Sequence, residues 1–288
     1  MSAGRVLRIA LVATLSLAVG YSPARERPAA APEPRPMEFD TEKHADLAYR
    51  TDPDADVRHK LDLYVPVGPK NFPVIMFIHG GGWKSGSKTL YGGLARSFAR
   101  HGIGVAVINY RLSPRVKHPV HAEDSAKAFA WVKANIARFG GDPGNLTIMG
   151  HSAGGHLAAL LATDPDYLKA EKLELSHIRG VVAVSGVYQI NPTADLYVPA
   201  FGTDPDECRK ASPLSHVAGK RPPFLIAYAD NDYESFDRMA IDFHAALEKA
   251  RVPATLLKVE RRTHISVIIS VLNEDDPLNE AIRRFVLK

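Results

Sequence analysis

Ser152 stands at the centre of Gly150-His151-Ser152-Ala153-Gly154. A serine hydroxyl is nearly inert at neutral pH, so chemistry here would be nucleophilic attack, helped by a base within hydrogen-bond reach and a third group that orients the base. The flanks suit that role. Leu146-Thr147-Ile148-Met149 is an apolar run with the length of a buried strand, and Gly155 to Leu161 reads as the start of a helix. Strand, Gly-x-Ser-x-Gly, helix describes a turn that presents a serine at its apex. The glycines are needed because such a turn is too sharp for side chains beside it. Ser152 is therefore the candidate nucleophile.

In an open parallel sheet, reacting groups gather at the carboxyl ends of strands, so residues directly after a predicted strand compete for the other roles. Among twelve histidines, His264 fits best, five residues past the strand predicted at Ala254 to Val259. The chain order serine, acid, histidine agrees with it. His151 sits on the turn itself, His156 on the helix behind it, and His79 precedes a glycine run that it is suited to hold. For the acid, Asp230 and Asp232 both follow the strand predicted at Phe224 to Tyr228. Asp232 is preferred because Asp230 is close enough to the strand end to be tied up in the turn; Glu234 stands third. His79-Gly80-Gly81-Gly82-Trp83 closes the apolar run Pro73 to Ile78. Three consecutive glycines there let backbone amides converge on one point, which is how an oxyanion is held without a side chain.

Rival chemistries fall away on spacing. Gly81 to Gly86 has the gap of a phosphate loop, but Gly86-Ser87-Lys88-Thr89 puts the lysine one residue late. Asp52-Pro53-Asp54-Ala55-Asp56 resembles the start of a calcium loop, yet Val57 replaces its glycine and Leu63 its bidentate glutamate, so it reads as a turn. No His-Glu-x-x-His and no paired cysteines occur, and neither metal nor cofactor is implied. Cys208 is the only cysteine, which excludes an internal disulfide, and Asp206-Glu207 before it disfavour a thiolate, so it reads as a packing residue.

The elements that must position these groups alternate. Leu61, Leu63 and Val65 suit an early antiparallel strand with one wet face, the period-two pattern starting near residue 46. Buried strands are then predicted at Pro73 to Ile78, Gly104 to Asn109, Leu146 to Met149, Ile178 to Val187, Phe224 to Tyr228 and Ala254 to Val259. Between them lie helices over Leu94 to His101, from Pro119 with Ala122, Ala126, Phe129 and Val132 on one face until Gly140-Gly141, after the serine, and from a Ser235 cap with Phe236, Ala240, Phe243 and Leu247. A terminal helix carries Ile282, Phe285 and Val286. This alternation predicts an α/β fold with a mostly parallel sheet of about eight strands and helices on both faces.

At 288 residues and 45% hydrophobic content the chain can bury one substantial core, and a single catalytic domain over 41–288 is expected. Arg5 and Arg8 ahead of the apolar run Ile9 to Gly20 have the layout of a secretory signal over 1–20, cut after Gly20 or Ala24, and too short to cross a bilayer of about 30 Å. The expectation is therefore a secreted or periplasmic protein without stable membrane insertion, an uncleaved anchor being the alternative. Residues 21–40, rich in proline and alanine, read as a linker. Net charge is +4, and losing Arg5 and Arg8 leaves about +2; lysines and arginines form no block, so nothing points to nucleic acid.

Taken together, His79-Gly-Gly-Gly-Trp83, Asn109-Tyr-Arg-Leu112, Gly150-His-Ser-Ala-Gly-Gly155, the acid after the penultimate strand and the late histidine resemble the carboxylesterases of the α/β-hydrolase fold. The branch they look like includes bacterial carboxylesterases, kynurenine-formamidase-like enzymes and acetyl-xylan or feruloyl esterases, and the likeness spans residues 57–288. It implies a serine esterase acting on a small-molecule ester, with Ser152, Asp232 and His264 as the triad and amides from Gly80, Gly81 and Gly82, Gly81 foremost, and from Ala153 as the oxyanion hole. Three departures are His151 where many relatives have aspartate before the nucleophile, Ala229 in place of a glycine ahead of the acid, and Ile265 after the base.

The mechanism so implied is two-step acyl transfer, its rate rising with pH through about 6 to 8 as the base loses its proton. The segment from Tyr188 to Pro223 is too short for a large lid, and Tyr188, Tyr197 and Phe201 in it are expected to wall an acyl pocket for short-chain or aryl esters. An arylformamidase using the same triad and an inactive binding protein are the alternatives.

Overall fold

The computed structural model describes residues 38–288; the expected signal segment and most of the linker lie outside these residues. Eight strands form one sheet: β1 (Thr41–Ala48), β2 (Lys60–Pro66), β3 (Phe72–Ile78), β4 (Gly104–Ile108), β5 (Gly141–His151), β6 (Gly180–Val184), β7 (Phe224–Asn231) and β8 (Ala254–Thr263). Their order across the sheet is β1-β2-β4-β3-β5-β6-β7-β8. β1 pairs antiparallel with β2 and β2 antiparallel with β4, while every pair from β4 to β8 is parallel. This is the α/β-hydrolase arrangement the sequence predicts.

The helices are α1 (Gly92–Arg100), α2 (Val120–Asn135), α3 (Ala153–Thr163), α4 (Asp166–Ala170), α5 (Val198–Phe201), α6 (Pro205–Lys210), α7 (Phe236–Lys249), α8 (Ser266–Ser270) and α9 (Pro277–Val286). Because successive strand residues point to opposite faces, β3 sends Val74, Met76 and Ile78 into one apolar layer with α2, α3 and α7. Ile75 and Phe77 go into the other, with α1, α8 and α9. A strand covered on both faces has no wet side, which is why β3, β4 and β6 read as unbroken apolar runs. Every residue of α3 is buried, so the element behind Ser152 is fixed by packing along its whole length.

Five local expectations need correction. β2 has no wet face, since Asp62 and Tyr64 are buried as Leu61 and Leu63 are. β1 is not among the predicted strands; its half-buried positions follow no two-residue alternation, since it is an edge strand with an irregular register between His44 and Leu47. The strand expected over Ile178 to Val187 covers only Gly180–Val184, because Ser185 turns out of the ladder with φ 47°. Ser235 precedes α7 but does not cap it: its φ is 69° and its side chain accepts no helix amide. Tyr188 lies in the core, stacked on Phe243 with centroids 4.3 Å apart, and walls no pocket. Cys208 is buried, and burial first and Asp204 and Glu207 second push its thiol pKa up. Lys88 is no phosphate ligand; buried, it pairs with Asp62 and with Asp46 at the sheet edge.

Candidate active site

Ser152 lies between the end of β5 and the first turn of α3 with φ 56° and ψ −121°, a strained backbone for a residue with a side chain. The surroundings enforce it. Ser152 N–H donates to the Val184 carbonyl on β6 at 2.9 Å, and its own carbonyl accepts from His156 N–H at 3.0 Å. A Cβ on Gly150 would stand 2.1 Å from the Gly154 carbonyl oxygen, and one on Gly154 2.0 Å from that of Ile78. Both glycines are therefore demanded by backbone approach.

The structure brings three of the sequence-selected side chains together. His264, directly after β8, has Nε2 2.9 Å from Ser152 Oγ and Nδ1 2.6 Å from Asp232 Oδ1. A carboxylate accepts, so Nδ1 carries the proton and Nε2 is left to accept from the serine hydroxyl. Asp232 is held in turn by the Tyr233 amide at 2.8 Å on Oδ1, and by the Ala229 amide at 3.2 Å and the Ser185 hydroxyl on Oδ2. Burial pushes its carboxyl pKa up, but the hydrogen bonds from His264, Ser185 and Tyr233 outweigh that and leave it below the usual carboxylate value.

The competing acids and histidines go elsewhere. Asp230 accepts the Arg261 and Arg262 amides at 2.7 and 2.9 Å, pinning the irregular end of the β7–β8 ladder. Glu234 lines a neighbouring cleft. Because a carbonyl can only accept, His151 Nε2–H donates to the His264 carbonyl at 2.8 Å. Burial, and then the proximity of His264, lower the His151 pKa to about 4, so this support is neutral. His156 accepts from Trp83 Nε1 at 3.2 Å and donates to the Ala211 carbonyl at 2.8 Å, which ties the glycine loop to the segment before β7.

The glycine loop presents amides by turning its carbonyls away. In a trans peptide the N–H points opposite to the C=O. The Gly80 carbonyl accepts from His79 Nδ1 at 2.7 Å, and the Gly81 carbonyl accepts the Lys84 and Ser85 amides at 3.1 and 3.0 Å. The Gly81 and Gly82 amides are thereby turned the other way, on a cleft wall they share with Ser152. Ala153 N–H heads α3, where the first amides of a helix lack intrahelical partners. Gly80 differs: its amide faces the Tyr91 hydroxyl at 3.4 Å.

The cleft over Ser152 encloses about 450 Å³ and is walled by Trp83, Leu90, Val187, Leu196, Tyr233 and Ile265. Of the expected wall, Tyr197 and Phe201 instead pack edge-on against Trp83 from behind. Tyr233 stacks on the His264 imidazole at 4.1 Å between centroids, and Phe236 meets it edge-on at 5.1 Å. A larger cleft, about 790 Å³, is lined by His118, Glu123 and Tyr167 and contains none of these groups; Ser152 and His264 border the smaller one. Sequence reasoning missed Ser185, Tyr233 and Tyr91. Only Ser185 carried a signal, standing near the carboxyl end of a predicted strand.

The BD-FAE family model matches residues 61–247 of this chain. Esterase LipC of Mycobacterium tuberculosis (strain ATCC 25618 / H37Rv) is 34% identical over 197 residues, covering 62% of this chain and 47% of that protein. Kynurenine formamidase of Salmo salar is 27% identical over 238 residues, covering 80% and 78%. The chain spans about half the length of the curated esterases it matches. Among solved structures, a truncated form of a carbohydrate esterase from gut microbiota superposes with a TM-score of 0.73 at 21% identity, covering 88% of this chain and 99% of that one, a likeness of fold.

Proposed function

The chain belongs to the BD-FAE family, and from that premise we propose that it is a serine carboxylic ester hydrolase working by acyl transfer through Ser152. His264 takes the hydroxyl proton as Ser152 Oγ attacks the ester carbonyl, and the tetrahedral oxyanion is met by the amides of Gly81, Gly82 and Ala153. The imidazolium then passes its proton to the departing alcohol. Water, activated by the same imidazole, releases the acid, and Asp232 keeps the ring oriented throughout. The observation that carries this reading is the unbroken chain from Ser152 Oγ to His264 at 2.9 Å and on to Asp232 at 2.6 Å.

The substrates proposed are short-chain or aryl esters, which suit a cleft of about 450 Å³ with apolar walls. A second reading, an arylformamidase using the same groups, is favoured by the Salmo salar relative, matched over most of its length. Initial rates on 4-nitrophenyl acetate, butyrate, octanoate and dodecanoate beside an N-formyl aryl amide distinguish them. The ester reading expects kcat/KM to peak at the acetate or butyrate and to exceed that for the formamide. A peak at dodecanoate contradicts the substrate class, and a formamide rate above all esters gives the second reading precedence.

A further inference from the structure

Arg58, on the turn before β2, is half-buried and reaches three separate segments. Its Nε donates to the Tyr110 carbonyl past β4 at 2.6 Å, and its Nη2 to the Gly86 carbonyl at 3.0 Å and toward His79 Nε2 at 3.2 Å. None of these acceptors is a carboxylate. A guanidinium drawn partly out of water with no carboxylate hydrogen-bonded to it is costly to keep. What it supplies is a proton arrangement.

A guanidinium carries donors only. The His79 nitrogen facing it must be the bare one, so the proton of the neutral ring sits on Nδ1 and is donated to the Gly80 carbonyl at 2.7 Å. The other tautomer would set two donors face to face at Arg58 and two acceptors face to face at Gly80. A protonated ring is disfavoured as well, since burial, assisted by the Arg58 charge, brings the His79 pKa down to about 4. His79 is further clamped flat on Tyr110, with centroids 4.4 Å apart, and the Tyr110 hydroxyl donates to the His79 carbonyl at 3.1 Å. The ring therefore has one orientation and one tautomer, and the Gly80–Gly81 peptide has one direction.

We propose that Arg58 is a positioning residue for the oxyanion-binding loop: by donating to His79 Nε2 it fixes the tautomer whose Nδ1–H holds the Gly80 carbonyl, and so turns the Gly81 amide toward the Ser152 cleft. The proposal rests on the acyl-transfer reading above. Arg58 touches no reacting atom and acts on the Gly80–Gly81 peptide through His79. It lies 21 positions before the histidine it controls, and no motif announces it.

The test is a double-mutant cycle on 4-nitrophenyl acetate with Arg58→Met, His79→Asn and both together. Asparagine at 79 keeps a donor for the Gly80 carbonyl and offers no ring nitrogen to Arg58. Removing a whole oxyanion donor costs about 10²–10³ in kcat, so misdirecting one through Arg58→Met is expected to cost about tenfold to a hundredfold in kcat, with KM within about twofold. In the His79→Asn background the same change is expected to add little. Millimolar guanidinium restores part of the lost kcat. Should the methionine variant fail to fold, Arg58→Lys, which keeps a cationic donor but not the planar fork that spans the acceptors, is expected to fall between wild type and His79→Asn.

Losses that multiply in the double variant overturn the proposal, as does a change confined to KM or an unchanged kcat. Fluorophosphonate labelling separates the two levels of failure. If wild type takes no label, the acyl-transfer reading fails; if wild type and Arg58→Met are labelled at equal rates, the role of Arg58 alone is refuted.

Discussion

Asp232 accepts hydrogen bonds from four groups, and only one of them, His264, also meets the Ser152 hydroxyl. The others keep both its oxygens occupied so that the proton stays on His264 Nδ1. Asp232→Asn is expected to leave the fold intact and lower kcat about 10⁴-fold, by placing a donor where His264 needs an acceptor. Ser152→Ala is expected to cost about 10⁶-fold. Ser185→Ala removes one donor to Asp232 Oδ2 and is expected to lower kcat only a few-fold, about the effect of one hydrogen bond. Steady-state rates on one aryl acetate check all three, and an Asp232→Asn variant as active as wild type contradicts the account. These side chains were legible to different depths. Ser152 and His264 stand out because a strained turn and a strand end restrict the residue types that fit. Asp232 was separable from Asp230 only because a carboxylate at a strand end meets free amides, here those of Arg261 and Arg262. Arg58 and Tyr233 were invisible, since their roles depend on contacts between segments distant in the chain.

Elements, more than side chains, decide whether the serine is presented. β5, β3 and α3 converge so closely that Gly154 lies against the backbone of Ile78. Gly154→Ala is therefore expected to shift the α3 start or unseat β3, with kcat falling at least about tenfold and a stability loss of about 1–3 kcal/mol from overpacking. Activity and a urea unfolding curve on that variant measure both, and a variant with wild-type values for each refutes the claim of contact. The two-face burial of β3, β4, β6 and β7 was readable because unbroken apolar runs admit few other uses. β1 was not, because an edge strand shows no clean alternation. The wall of the cleft was misjudged for a related reason: composition marks Tyr188 as bulky and apolar, while only packing decides that it faces Phe243 and not the substrate.

At the scale of the whole molecule, the hydrophobic layers on either side of the sheet also enclose histidines. Burial lowers His79, His121 and His151 to a pKa of about 4 and His156 to about 3. Their folded values lie below the unfolded value of about 6.5, so between these limits the unfolded chain binds more protons. Stability is accordingly full above pH 6.5 and lost as pH falls toward 4, each such histidine steepening the slope by up to about 1.4 kcal/mol per pH unit. Urea midpoints at pH 7, 6 and 5 are expected to drop successively, whereas equal midpoints would place those rings in contact with water. The central claim concerns one oxygen atom, and intact mass spectrometry after treatment with a fluorophosphonate tests it most directly. The account predicts one phosphonyl group per wild-type chain, located on Ser152, and none on Ser152→Ala; an equal mass gain on both proteins, or ester hydrolysis undiminished in Ser152→Ala, contradicts it.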